Sequence, residues 1–396
     1  MYKYNVPKVV YFIFIGKIFM ELGNYLWPLF TFLGDTYFGF SATVIASYLT
    51  LFTILALLGT ILGGKLTDTI GRKKTFTIFM VLSGVICVSA GLLSGTVVIV
   101  LLTVNAFVIA IGGSATTAMI TDLTPIDQRK DAFALYYIAM NFGFAFGPLL
   151  GGFLYDLGLL RWLFIGDGLT TLIFAGIVLF FVPESLPSKE DRVKVEGTLE
   201  EAKQGSIWNV LFNNKPLLIF LFVNIMLFVV FRQFTFGIPM YAKELYARPG
   251  TIFGIVMTVN AGMVVILTTP ILKLTDKVAT ETKIMIGGVC YLVGFGSLAF
   301  ISNVYLFIAA AMVWTIGEIF IAPTSKLYIA NHSPITHRGR FNSIFDIVRK
   351  LGSIMGFYIA GYLIQVYGFD IMWLGMALIS LLGIILMYSN RRYQNA

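Results

Sequence analysis

The chain has 396 residues, 58% of them hydrophobic and only 12% charged. Globular domains carry about 25% charged residues, so roughly half the charge needed to cover a water-facing surface is missing. With a mean hydropathy of +0.87, this excludes a soluble enzyme, a disordered scaffold, a collagen-like chain and a disulfide-stapled domain. The net charge of +8 does not point to nucleic acid, because the basic residues sit in short loops between long apolar runs, as expected for orienting a chain in a bilayer. Cys87 and Cys290 both fall inside apolar runs, so buried thiols are expected rather than a disulfide or a zinc site.

A helix needs about 20 apolar residues to cross the hydrocarbon core. Twelve such runs follow one another, near 9–32, 41–64, 75–95, 97–121, 132–157, 161–182, 215–241, 250–272, 283–302, 304–330, 341–366 and 369–389. The first is too long for the apolar region of a signal peptide. One long polar interval interrupts the series. The expected fold is therefore an all-α polytopic membrane protein of twelve transmembrane helices: a six-helix bundle over 1–183, a linker over 184–214 and a second bundle over 215–396.

Basic residues set the orientation. With the N-terminus placed in the cytoplasm, the opposite side holds only Arg161, Lys243 and Arg248, while Lys17, Arg232, Lys326, Arg349 and Lys350 fall within runs. All other Lys and Arg lie on the cytoplasmic side, which predicts cytoplasmic termini. The halves also repeat. Lys65-Leu66-Thr67-Asp68 recurs as Lys273-Leu274-Thr275-Asp276, and Gly143, Gly147, Gly152 and Leu154 recur as Gly352, Gly356, Gly361 and Leu363. Parallel repeats of this kind build two-lobed transporters with a site between the lobes.

Between the second and third runs stands Gly64-Lys65-Leu66-Thr67-Asp68-Thr69-Ile70-Gly71-Arg72-Lys73-Lys74. Glycines permit a tight turn, Asp68 can face a helix N-terminus, and the basic cluster suits an anionic inner leaflet. The pattern resembles the G-x-x-x-D-x-x-G-R-[RK]-[RK] signature of the major facilitator superfamily, and the resemblance covers the whole chain. In the fifth run, Gly143, Gly147, Pro148, Gly151 and Gly152 match the G-x-x-x-G-P-x-x-G-G antiporter signature of drug:proton exporters in that superfamily. Small residues at this spacing let helices approach closely. The stretch Ile316-Gly317-Glu318 is similar to the tenth helix of bacterial multidrug exporters, where an intramembrane carboxylate lies near the binding chamber. The chain also departs from that pattern: Asn105-Ala106-Phe107 stands where many exporters carry an arginine, and Tyr136 and Thr235 stand where the lactococcal type carries acids.

Charges inside the bilayer are costly, about 2.5–3.5 kcal/mol each on insertion scales, so each needs a reason. Glu21 has Lys17 one turn earlier on its own helix; Glu318 has no basic residue within a turn. Glu318, Glu21 and Asp122 are the candidates for proton coupling, although Asp122 is equally well read as a helix-end acid near Arg129. The family arrangement, in which the first, fourth, seventh and tenth helices line the cavity, implies Lys17, Tyr25, Arg232, Phe231, Thr235 and Trp314 as cavity residues. The resemblance implies a gate built from Gly64, Asp68, Gly71 and Arg72, with Asp68 facing a helix terminus or a basic partner such as Arg340. Asp167, in the sixth run, is expected outside the chamber. No Walker A sequence, nucleophile–base set or metal-ligand cluster is present. The expectation is a transporter and not an enzyme: a monomer in a cell (plasma or inner) membrane that needs no cofactor or metal and exchanges protons for a small amphipathic solute. An importer or flippase for an anionic or zwitterionic solute is the alternative.

Overall fold

The computed structural model describes residues 6–186, 214–332 and 338–395. The helices are α1 Lys8–Leu22, α2 Leu26–Thr36, α3 Ala42–Thr69, α4 Arg72–Leu92, α5 Thr96–Asp122, α6 Arg129–Asp156 and α7 Leu160–Phe181. They continue with α8 Lys215–Phe231, α9 Gly237–Leu245, α10 Pro249–Leu274, α11 Thr280–Gly296, α12 Val304–His332 and α13 Arg338–Asn395. Eleven helical segments among the described residues are long and apolar enough to cross a membrane. The last, Ile344–Arg392, has 49 residues. It would be about 74 Å long as one helix, far more than a bilayer core of about 30 Å. Gly368 resolves this: its φ of 83° is non-helical, and two helices meet there. Counted that way, each of the twelve expected runs has a helical counterpart.

Two of those runs are not continuous. The first breaks at Gly23–Tyr25 between α1 and α2, and the seventh passes through a 3-10 turn at Arg232–Phe234 between α8 and α9. Each resumed helix carries a proline in its first turn, Pro28 and Pro239. There the missing N–H costs nothing, because first-turn N–H groups have no intrahelical acceptor. The two breaks occupy equivalent places in the repeat.

The chain divides into two compact units. One comprises Met1–Phe40, Tyr48–Ser188 and Ala242–Ala261; the other comprises Ser41–Ser47, Lys189–Tyr241 and Gly262–Ala396. The expected boundary at 183 and 215 lacks the small exchanged segments, and most of the expected linker lies outside the described residues. The reason for one exchange is packing. A Cβ on Gly254 of α10 would stand 2.5 Å from Leu149 of α6, and Thr258 donates its Oγ1 hydrogen to the Ala145 carbonyl at 2.6 Å.

Within the first unit a buried cluster of Val10, Ile13, Phe76, Met80, Met119 and Phe174 ties α1, α4, α5 and α7 together. Within the second, Phe220 stacks on Tyr328 at 4.0 Å and Phe295 on Trp314 at 4.7 Å. Buried polar side chains bond across helices: Ser325 to Asn224 at 3.0 Å, and Gln233 to the Gly356 carbonyl at 3.0 Å. Such bonds contribute about 0.6–1.7 kcal/mol each in a membrane. Outward-facing apolar side chains such as Phe180, Ile266 and Leu92 are more than two-thirds exposed, the surface expected of a protein that faces lipid.

Candidate functional site

The α3–α4 turn assembles the residues expected to form a gate. Gly71 adopts φ 121°, a backbone region that favours glycine. Arg72 is the hub: its Nη1 donates to Asp68 Oδ1 at 2.6 Å and to the Thr67 carbonyl at 2.8 Å, and its Nε donates to Asp122 Oδ2 at 2.9 Å. Asp122, expected among the proton-coupling acids, is thus brought to the Asp68–Arg72 pair. It is the ion-pair partner of Arg72 and not of Arg129, whose Nε bonds the Thr124 carbonyl at 3.3 Å. Asp68 pairs with Arg72, and the side chain of its expected partner Arg340 lies outside the described residues.

Sequence reasoning missed Glu184, which stands at the start of the interval read as linker. Its carboxylate accepts the backbone N–H groups of Arg72 at 2.7 Å, Lys73 at 3.2 Å and Lys74 at 3.4 Å, the open N-terminus of α4. Partial burial pushes this carboxyl up, but the N–H donors outweigh it and hold the group below the usual carboxylate range. An acid that closes a helix N-terminus 110 residues away leaves no local signal.

The second constellation surrounds the break in the first helix. Lys17 Nζ lies 2.5 Å from Glu21 Oε1, with both side chains 10% exposed, and 5.7 Å from the centre of the Tyr136 ring. Asn24 donates to Glu21 Oε2 at 3.2 Å. The antiporter motif packs directly on this pair. A Cβ on Gly143 would collide with the Cβ of Glu21, and one on Gly147 would stand 2.7 Å from the Glu21 carbonyl oxygen. Gly151 and Gly166 hold the Tyr25 ring between them, and Gly152 meets the backbone of Gly250. Pro148 lies inside α6 between these contacts. The repeat preserves the geometry, since a Cβ on Gly356 would stand 2.8 Å from the Val229 carbonyl. At the offset that relates Gly147 to Gly356, Glu21 corresponds to Val230, so the second half carries an apolar residue there.

Asp167 was expected away from this region. Instead its Oδ2 accepts the Leu26 N–H at 3.2 Å, at the start of α2. Asp167 lies 141 residues along the chain from Leu26, so nothing local names the acid that caps this helix.

In the second unit, Glu318 stands on α12, and Arg349 on α13 pairs with Asp346 one turn earlier, Nη1 to Oδ1 at 3.9 Å. Arg349 also sits 4.6 Å over the Phe228 ring, and Arg232 lies 5.6 Å over Phe357. Phe231 stacks on Phe234 at 4.8 Å. Two of the expected cavity residues are closely packed. Trp314 is fully buried between helices against Phe295, and Thr235 is 4% exposed with its hydroxyl bonded to the Arg232 carbonyl at 3.3 Å. Both belong to the unit's interior. Among the described residues no cluster of His, Cys, Asp and Glu could hold a metal ion.

Membrane-length helices, a duplicated architecture and ion pairs embedded among apolar helices define a multi-pass membrane transporter and not an enzyme. The family model described as Major Facilitator Superfamily matches residues 11–356 and 246–395, and the chain belongs to that superfamily. It is 25% identical over 402 residues to YttB of Bacillus subtilis strain 168, described as an uncharacterized MFS-type transporter, with 98% of this chain and 96% of the relative covered. It is 23% identical to a Na(+), Li(+), K(+)/H(+) antiporter of Planococcus maritimus, covering 86% of each. The multidrug resistance protein MdtG of Proteus mirabilis is 24% identical, with 77% of this chain and 75% of the relative covered. Among solved structures, the nucleoside transporter NupG superposes with a TM-score of 0.76 at 15% identity, covering 98% of this chain and 100% of the other.

Proposed function

We propose that the protein is a proton-coupled secondary active transporter that exports small amphipathic compounds by alternating access. In this reading it acts as a monomer in a plasma or inner membrane, with both termini in the cytoplasm. One observation carries the reading: the antiporter-type glycines Gly143 and Gly147 pack onto Glu21, a buried carboxylate paired with Lys17 at the break in the first helix. A stripe of small residues alone is ordinary packing; here it controls the space around an embedded acid. A buried carboxylate is tolerated in its ionised form only beside a cation. Movement that separates such a pair loads a proton, and movement that restores it releases one. Glu318 is the first candidate for the coupling group, because no basic residue lies within one turn of it on its own helix, and Glu21 is the second.

The test is transport in inverted vesicles with a pH gradient of either sign and a panel of compounds. Glu318→Gln is expected to lose pH-driven transport of cationic compounds while still binding them. Proton release on substrate addition that stays at the wild-type level in Glu318→Gln would move the coupling role to Glu21. The alternative, import or flipping of an anionic or zwitterionic solute, draws support from the basic residues Arg232 and Arg349 on the helices of the second unit. It predicts accumulation with, not against, the proton gradient.

A further inference from the structure

The first unit contains a cavity of about 100 Å³ beside the break in the first helix. Three polar side chains line it, Asn24, Asn105 and Asp167, and three aromatic ones, Trp27, Phe30 and Phe52; the remaining wall is aliphatic. Asp167 is 7% exposed and Asn105 8% exposed. Asn105 donates its Nδ2 hydrogen to the sulfur of Cys87 at 3.2 Å, which leaves its Oδ1 buried without a hydrogen-bond partner. An orphaned buried acceptor is costly, and here it stands in the wall of a cavity that also holds a carboxylate.

We propose that this cavity binds the ammonium group of a small monocationic organic amine, with Asp167 as counter-ion and Asn105 Oδ1 as a second acceptor. Three features favour an organic cation over an alkali ion. Hard metal cations want about six oxygen ligands, and only three polar side chains are present. Aromatic faces attract organic cations, and three line the cavity. Its volume, about that of three waters in the liquid, suits an aliphatic amine of four or five heavy atoms. The inference rests on the export reading above and names the charged group of the substrate.

Asp167 also accepts the Leu26 N–H, so a test must spare that bond. Asp167→Asn keeps an oxygen acceptor for Leu26 and removes the charge. Asn105→Leu leaves Asp167 untouched and removes the orphaned acceptor. Isothermal titration of the purified full-length protein with n-butylammonium, with n-butanol as the uncharged isostere and sodium ion as the inorganic competitor, supplies the readout. Wild-type protein is expected to bind n-butylammonium saturably and n-butanol at least about tenfold more weakly, since a charge-assisted hydrogen bond is worth about that factor or more. Asp167→Asn should weaken n-butylammonium binding by about tenfold or more, and Asn105→Leu by several-fold.

Equal affinity for amine and alcohol, unchanged binding in both variants, or displacement of the amine by sodium at comparable concentration would overturn the proposal. Thermal unfolding of each variant separates loss of binding from loss of fold, and Asn105→Leu carries the test if Asp167→Asn is unstable. The export reading fails separately. If n-butylammonium binds but vesicles show no proton-driven extrusion of cationic compounds, the site stands and the exporter does not. If cationic compounds are extruded but n-butylammonium does not bind, the exporter stands and the amine site does not.

Discussion

Substituting Gly147 with valine probes the contact on which the functional reading depends. A Cβ at Gly147 would stand 2.7 Å from the Glu21 carbonyl oxygen, 3.5 Å from that of Leu22 and 3.7 Å from that of Asn24. These carbonyls flank the break in the first helix, so they belong to backbone already freed from regular pairing. Ordinary contact begins at 3.4 Å, so α1 or α6 must retreat by about 0.7 Å before the extra valine methyls are accommodated. Overpacking of this kind costs about 1–3 kcal/mol. The gain from replacing a mid-helix glycine by valine offsets only a few tenths of a kcal/mol, so the clash wins. Gly176 on α7 is the control, because nothing lies within 4 Å of a Cβ placed there. Thermal unfolding in detergent should show Gly147→Val destabilised and Gly176→Val close to wild type. In vesicles, Gly147→Val should lose coupled transport as the Lys17–Glu21 pair is displaced. Wild-type stability and full transport in Gly147→Val would refute the close approach of α6 to Glu21.

The gating turn and the helix ends yield further expectations. Glu184 has a depressed folded-state pKa, so its grip on α4 is complete above the unfolded carboxylate pKa of about 4.3 and fades as pH falls through the lower folded value; amide exchange protection at Arg72–Lys74 should drop in that window, and Glu184→Gln should remove the pH dependence. Arg72→Ala should destabilise by about 3 kcal/mol, because it strips a mostly buried guanidinium from three acceptors. Asp68→Asn, at a side chain 69% exposed, should cost no more than about 1 kcal/mol; equal losses in chemical unfolding would contradict the hub role of Arg72. Asp156 accepts the N–H groups of Gly250 at 2.9 Å and Thr251 at 2.7 Å, so Asp156→Ala should cost about 1–2 kcal/mol as a lost cap, with faster amide exchange at those two residues.

Much of the architecture was legible because hydropathy and short-range spacing are local properties. Long apolar runs have no soluble solution, so composition alone determines a multi-pass membrane protein. The Lys17–Glu21 pair follows from i,i+4 geometry on one helix, and the glycine signatures announce close approach without naming the partner. The break in the first helix at Gly23–Tyr25 was not legible: the run 9–32 reads as continuous, and Asp167, the acid that caps the restart, lies 141 residues from Leu26. The same limit hid Glu184 at the N-terminus of α4. It also hid the partner of Asp122, which bonds Arg72 rather than the sequence neighbour Arg129. Only the tertiary structure decides such pairings. A buried charge is stabilised by whichever opposite charge or N–H dipole the packing brings within about 3 Å, and sequence distance does not enter that energy.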